Sequence, residues 1–164
     1  MRSIPPILTI ICLGLFLAGC EPEERIDENS AEFEAWLLEQ GLTPLGQSEA
    51  SELLNDRTLY GRYVGGEGNW IEYYSNTGVS VFQPDAKQDP KRRLVYFGTW
   101  WAEADRTCFS YPERQLHCYR VYQKNEAVYF IRIEEVSGKP AGSLVVAADE
   151  VKTGNTEKYP FVGN

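Results

Sequence analysis

Thr107-Cys108-Phe109-Ser110-Tyr111 and Leu116-His117-Cys118-Tyr119-Arg120-Val121-Tyr122, joined around Pro112-Glu113-Arg114, are the two runs whose reading decides the fold. Both are rich in aromatic and β-branched residues and are separated by a turn-forming segment, which predicts an antiparallel hairpin. Pairing Tyr111 with Gln115 across the turn puts Cys108 directly opposite Cys118. Side chains alternate across a strand, so Phe109, Tyr111, His117, Tyr119 and Val121 share one face, while Leu116, Cys118 and Tyr122 share the other. Pairing Val121 with Val128 across Lys124-Asn125 extends the pattern to a third strand. It brings Phe109, His117 and Arg132 into one cross-strand row, with Val128 and Phe130 on the same face and Ile131 and Ile133 on the opposite one. Two alternatives stay open. If the aromatic face is interior, His117 and Arg132 sit within a ring of aromatics as a ligand pocket would require. In the blander reading they lie at the rim, solvated or paired with Glu134.

Working outward, the same grammar of short Tyr, Val, Ile, Phe and Trp runs between Gly, Asn and Pro recurs from residue 57 onward. Strands are expected near 57–64, 69–75, 79–83, 93–102, 106–111, 115–122, 127–135 and 143–148. Ser75-Asn76-Thr77-Gly78-Val79 reads as a three-residue hairpin loop with Gly78 in the left-handed position; pairing Ser75 with Val79 sets Ile71, Tyr73, Val79 and Val81 on one face. Before the strands, a helix is expected from Asn29 or Ser30 to Gln40, with Phe33, Trp36 and Leu37 at helical spacing and Gly41 as terminator. A second short helix is expected from a Ser48 cap through Ala50, Leu53 and Leu54. Trp36 is read as a packing residue on its stripe. The fold class is therefore mainly β: an antiparallel meander closing into a small barrel, preceded by one or two short N-terminal helices.

The start of the chain carries a different signal. Arg2 is followed by an apolar run from Ile4 to Ala18, which ends in Leu17-Ala18-Gly19-Cys20 and meets Glu21, Glu23 and Glu24 at once. The run is shorter than the roughly 20 residues a spanning helix needs. The tetrapeptide resembles the lipobox of a bacterial lipoprotein signal, with an ordinary cleaved signal or an uncleaved anchor as alternatives. The resemblance implies removal of residues 1–19, acylation of Cys20, and a membrane partnership through that N-terminal lipid. The expected address is the periplasmic face of the cell envelope, at the outer membrane rather than the inner, because Glu21 is not the aspartate associated with inner-membrane retention. Residues 20–29 then form an acidic tether, and residues 30–164 a single domain with a helical lead-in at 30–56 and a β domain at 57–164.

Cysteine usage fits this partition. Of four cysteines, Cys12 leaves with the signal and Cys20 takes the lipid, so Cys108 and Cys118 remain as a disulfide pair in an oxidising compartment. A metal or redox role is disfavoured by the lack of C-x-x-C spacing and by the presence of a single His.

The net charge of −8 becomes one unit more negative when Arg2 is removed, and such a surface disfavours nucleic acid as a partner. Gly65-Gly66-Glu67-Gly68 joins two strands and does not open a helix, so it reads as a turn and not as a phosphate cradle. The basic cluster Lys87, Lys91, Arg92 and Arg93 reads as a solvated loop, with an envelope anion as the functional alternative. On the hairpin face opposite His117, Arg106 and Arg120 become neighbours and need an acidic partner, for which Glu103 and Asp105 are close in sequence. No nucleophile–base pairing or hydrolase motif is present, so no catalytic residues, metal or cofactor are expected, although a carboxylate-only hydrolase is a third class beside binding and inhibition.

Leu54-Asn55-Asp56-Arg57-Thr58-Leu59-Tyr60-Gly61, Glu72-Tyr73-Tyr74 with Gly78, Gly98-Thr99-Trp100, Cys108-Phe109-Ser110-Tyr111-Pro112, Cys118 and Gly154-Asn155 resemble, in this order, a family of small uncharacterised proteobacterial envelope proteins. The resemblance spans residues 45–160 and implies a lipocalin-like β domain without an assigned activity. Gly98-x-Trp100 is also similar to the glycine-to-tryptophan element of lipocalins, which there lies on the first strand. The functional expectation is a lipid-anchored, non-catalytic envelope protein that binds a protein or a small amphipathic ligand. His117, Arg132, Phe109, Tyr119 and Phe130 are the candidate ligand residues. The alternative is a periplasmic inhibitor of a hydrolase such as a lysozyme or protease, which would present Gly65–Gly68 or Pro84–Lys91 as a rigid loop.

Overall fold

A computed structural model describes residues 27–28, 30–64, 68–84, 94–112, 116–136 and 138–160. Cys20 and most of the expected tether, residues 65–67 of the Gly-rich turn, the basic cluster at 87–93 and the turn residues 113–115 lie outside the described residues. Two helices, α1 (Glu32–Glu39) and α2 (Gln47–Leu54), precede eight strands: β1 (Arg57–Tyr63), β2 (Asn69–Tyr74), β3 (Val79–Pro84), β4 (Tyr96–Glu103), β5 (Arg106–Ser110), β6 (His117–Lys124), β7 (Ala127–Arg132) and β8 (Leu144–Thr153). Each strand pairs with the next, and β8 returns to pair with β1, so the meander is a closed antiparallel barrel. Closure satisfies the backbone of both edges, which an open sheet would leave as a template for aggregation.

The hairpins form where the turn chemistry places them. Gly78 has φ +81°, and the Ser75 N–H donates to the Val79 carbonyl at 2.8 Å, so the loop has the expected length and register. Cys108 lies directly opposite Cys118, with Cα atoms 4.1 Å apart and the disulfide formed. The β6–β7 hairpin differs from expectation. Asn125 adopts φ +56° and the turn is Asn125-Glu126, so Val121 faces Phe130, Gln123 faces Val128 and Arg132 faces Tyr119. Asn tolerates this conformation, and moving the two-residue turn one position along the chain slides the pairing by two residues. Because the side-chain period is two, that slip leaves each residue on its expected face but removes Arg132 from the His117 row.

Strand and helix ends also shift. β8 runs on to Thr153, well past the expected end, because its polar outer residues pair with β1 and need no apolar signature. β7 stops at Arg132, three residues earlier than expected, where Gly142 and Ser143 cross to it. Helix α1 begins at Glu32 with Ala31 as N-cap; the Ser30 hydroxyl donates to the Asp27 carbonyl at 2.7 Å, away from the helix start, and only the Ser30 carbonyl takes up a first-turn N–H, that of Phe33, at 3.3 Å. Helix α2 begins after Gly46, not at Ser48, and the Glu49 carboxylate accepts the Gly46 N–H at 2.8 Å, taking up one of the donors that a helix start leaves free.

The two helices have separate tasks. Helix α1 lies outside the barrel, where Phe33 and Leu37 pack with Tyr122, Ile131, Leu144 and Ala147. Trp36 packs against the same group, as its stripe predicts. Glu34 of α1 accepts from Arg120 Nε at 2.5 Å and Nη2 at 2.6 Å, and from the Tyr122 hydroxyl at 2.6 Å. Of the two acids expected to serve the Arg106 and Arg120 pair, Glu103 bonds Arg106 at 2.5 Å and the Asp105 charge acts on Arg120, but the direct partner of Arg120 is a helix residue 86 positions away. Helix α2 crosses one end of the barrel against β1, β4 and β5. Its Leu54 is buried in the barrel core beside Leu59, Trp100 and Val121, and the Leu45 N–H ahead of it donates to the Val121 carbonyl at 2.8 Å. That end is plugged.

Candidate functional site

The aromatic face is the interior. Residues 109, 111, 121, 128 and 130 are buried in the main core together with Trp70, Tyr74 and Trp100, whereas Tyr122 and Ile131 point outward beneath α1. Filling is incomplete. A cavity of about 180 Å³ lies inside the barrel, away from the α2 plug, toward the end where β5 gives way to β6. Comparable apolar cavities of about 150 Å³ hold a benzene ring.

Its wall is an aromatic belt. Trp70 meets Phe130 edge-on at 6.3 Å, Phe130 meets Tyr119 edge-on at 6.2 Å, Tyr119 lies 5.8 Å from Phe109, and Phe109 lies 5.8 Å from Tyr74. Phe82 and Tyr111, with centroids 6.0 Å apart, line the other side. His117, the first residue of β6, stacks on Tyr119 at 6.5 Å and faces the cavity. These contacts join β2 and β7 across the barrel, so only closure brings them together. Gly98 makes room for one wall: a Cβ there would stand 2.6 Å from the Tyr111 ring and 2.6 Å from the Ser110 carbonyl. The glycine of Gly98-Thr99-Trp100 thus seats Tyr111, while Trp100 turns inward and donates its indole N–H to the Ser75 carbonyl at 3.1 Å.

One charged group enters this wall. Glu72 of β2 is buried from bulk solvent and lines the cavity. Its Oε2 accepts from the Tyr74 hydroxyl at 2.9 Å, and its Oε1 accepts from the Tyr111 hydroxyl. Tyr111 is in turn the acceptor for the Ser80 hydroxyl at 3.2 Å. Burial pushes the Glu72 carboxyl up to about 7, against the two phenolic hydrogen bonds that favour its charged form. Burial, followed by the Glu72 charge, pushes both phenols well above their usual range, so they stay protonated donors.

Of the residues expected to form a ligand site, Phe109, His117, Tyr119 and Phe130 line the cavity together. Arg132 does not. It stands opposite Tyr119 near the end of β7, half-buried, and its Nε is buried without a hydrogen-bond partner among the described residues. Sequence reasoning missed Glu72, Trp70 and Tyr74. The signal was present, since residues 70, 72 and 74 alternate onto the face opposite Ile71 and Tyr73, and a carboxylate between two inward aromatics is out of place on a solvated face. Among the described residues no group of three His, Cys, Asp or Glu could hold a metal ion, and no helix is long and apolar enough to cross a membrane. No protein-family model matches the chain, and no match was found among curated proteins or solved structures.

Proposed function

We propose that this chain is a lipid-anchored envelope protein whose barrel binds a small amphipathic ligand without acting on it chemically. The observation that carries the reading is the unfilled, aromatic-walled cavity inside a barrel closed at one end by α2. A core built for stability alone packs to crystal-like density; a space lined by aromatics and a few polar groups has the make-up of a ligand site, and its volume suits a body of about one ring. The inhibitor alternative calls for a filled barrel, so the cavity favours the carrier reading over it.

The anchor in this proposal is Cys20, supported by Leu17-Ala18-Gly19-Cys20 at the end of the apolar run. Two or more acyl chains, at about 0.8 kcal/mol per buried methylene, hold an acidic domain at a membrane without any basic patch. The outer membrane is the proposed address. Native mass spectrometry of protein purified from its own envelope tests the carrier reading: a co-purifying small mass lost on mild unfolding is expected, and a barrel that is empty and takes up no small molecule overturns it. Cys20→Ser tests the anchor. It should release the protein from membranes or leave it unprocessed, and unchanged acylation and fractionation would refute the lipobox reading.

A further inference from the structure

Glu72 is an expensive residue to keep where it is. Its neighbours in the cavity wall are aromatic, no Lys or Arg lines the cavity among the described residues, and its partners Tyr74 and Tyr111 are neutral hydroxyls. His117 is the one described lining side chain able to take up a positive charge. A carboxylate offers about four acceptor sites, of which the two phenols occupy two, so acceptor capacity is left toward the cavity. Around it, the rings of Trp70, Phe109 and Tyr119 line the cavity, and an aromatic ring attracts a cation lying over its face within about 6 Å of the centroid. The chain's net charge of −8 biases encounter in the same direction.

From this juxtaposition of one buried acid, held by two neutral phenols, with an aromatic belt in a cavity of about 180 Å³, we infer that the site takes an organic cation: a protonated amine on an apolar body about one ring in size. The ammonium donates to Glu72 and lies against the aromatic faces, while the apolar body fills the remaining space. The inference rests on the small-ligand reading above and narrows it to one chemical class. An anion would meet the carboxylate at close range, and a neutral apolar ligand would leave its acceptor sites unused. Arg132 stands opposite Tyr119 in register and lies outside the cavity lining.

Calorimetric titration of the purified full-length chain with benzylamine, benzyl alcohol and benzoate at pH 8 and constant ionic strength separates these classes with bodies of one size. Benzylamine should bind at least tenfold more tightly than benzyl alcohol, with benzoate weakest. Glu72→Gln should lower benzylamine affinity at least tenfold and leave benzyl alcohol within about twofold, which also discounts amine binding to the acidic surface. Wild-type affinity for benzylamine should fall when the pH is lowered to 5.5, where Glu72 is protonated. The other titratable groups facing Glu72 are Tyr74 on its own strand, Tyr63 on β1, Tyr111 on β5, and His117 and Tyr119 on β6; any imidazole contribution to the profile is read from His117→Gln. This pH profile on unaltered protein keeps the inference testable if the Glu72 variant fails to fold. Benzyl alcohol or benzoate binding as tightly as benzylamine, or a flat pH profile, overturns the cationic class and leaves the small-ligand reading standing. Binding of none of the three at millimolar concentration overturns both.

Discussion

Replacing Glu72 by Gln should remove a loss of stability that the wild type suffers as pH rises. In the folded protein the carboxyl titrates at about 7, against an ordinary value of 4.5. The folded state therefore keeps a proton that the unfolded chain releases between those values, and stability falls as pH rises through that window, then levels off above it. At about 1.4 kcal/mol per unit, the displacement corresponds to roughly 3 kcal/mol. Gln keeps the shape: its carbonyl accepts from one of the two phenols, its NH2 group faces the other as the hydroxyl of the protonated acid does, and it has no proton to lose. Urea unfolding of both proteins with the disulfide intact, at pH 5, 6, 7 and 8 and fixed ionic strength, gives the difference between them free of every other titrating group. The variant should be close to wild type near pH 5 and gain on it by about 3 kcal/mol at pH 8. A difference that is flat with pH, or wild type gaining on the variant as pH rises, would refute the claim that Glu72 is held in a poorly solvating site without a compensating cation.

Glu34 should behave oppositely. Burial raises its carboxyl, but the hydrogen bonds from Arg120 and Tyr122 and the Arg120 charge outweigh it and hold it below 4.5. Its contribution is present above that value and is lost as acid takes the pH down through the folded one. Glu34→Gln should thus flatten the acid limb of a wild-type stability curve, and a limb of unchanged steepness would count against it. Glu34→Ala, which leaves Arg120 half-buried without its bidentate partner, should cost about 2 kcal/mol in urea unfolding at pH 7, with no measurable loss arguing against α1 being pinned there. Gly98→Ala drives a methyl into the Tyr111 ring and the Ser110 carbonyl and should destabilise by about 1–3 kcal/mol; an unchanged urea midpoint would show that Tyr111 moves freely. Cys108→Ser with Cys118→Ser opens a loop whose ends are 10 residues apart in sequence, a loss of roughly 3 kcal/mol on the chain-entropy account. A melting temperature equal to that of the oxidised wild type would contradict it.

Local chemistry alone determined much of this protein. The aromatic and β-branched runs after residue 57, Gly78 in its loop, and the opposition of Cys108 to Cys118 follow from alternation and turn length, so eight strands and one staple were legible before any coordinates. Even the slipped β6–β7 register kept Phe109, His117, Tyr119 and Phe130 on one face, because a shift of two preserves the side-chain direction. Only the tertiary structure decided which face was inside, since both faces carry enough apolar residues to be buried: one fills the barrel and the other lies under α1. It also decided the partners that sequence distance hides. Arg120 found Glu34 from a helix, and Trp70 met Phe130 across the barrel, contacts that exist only because β8 returns to β1. Glu72 is the case that joins the two levels. Its place in the alternation was written in the chain, but its cost and its availability to a ligand arise from closure, which removes water from a carboxylate and surrounds it with aromatic rings.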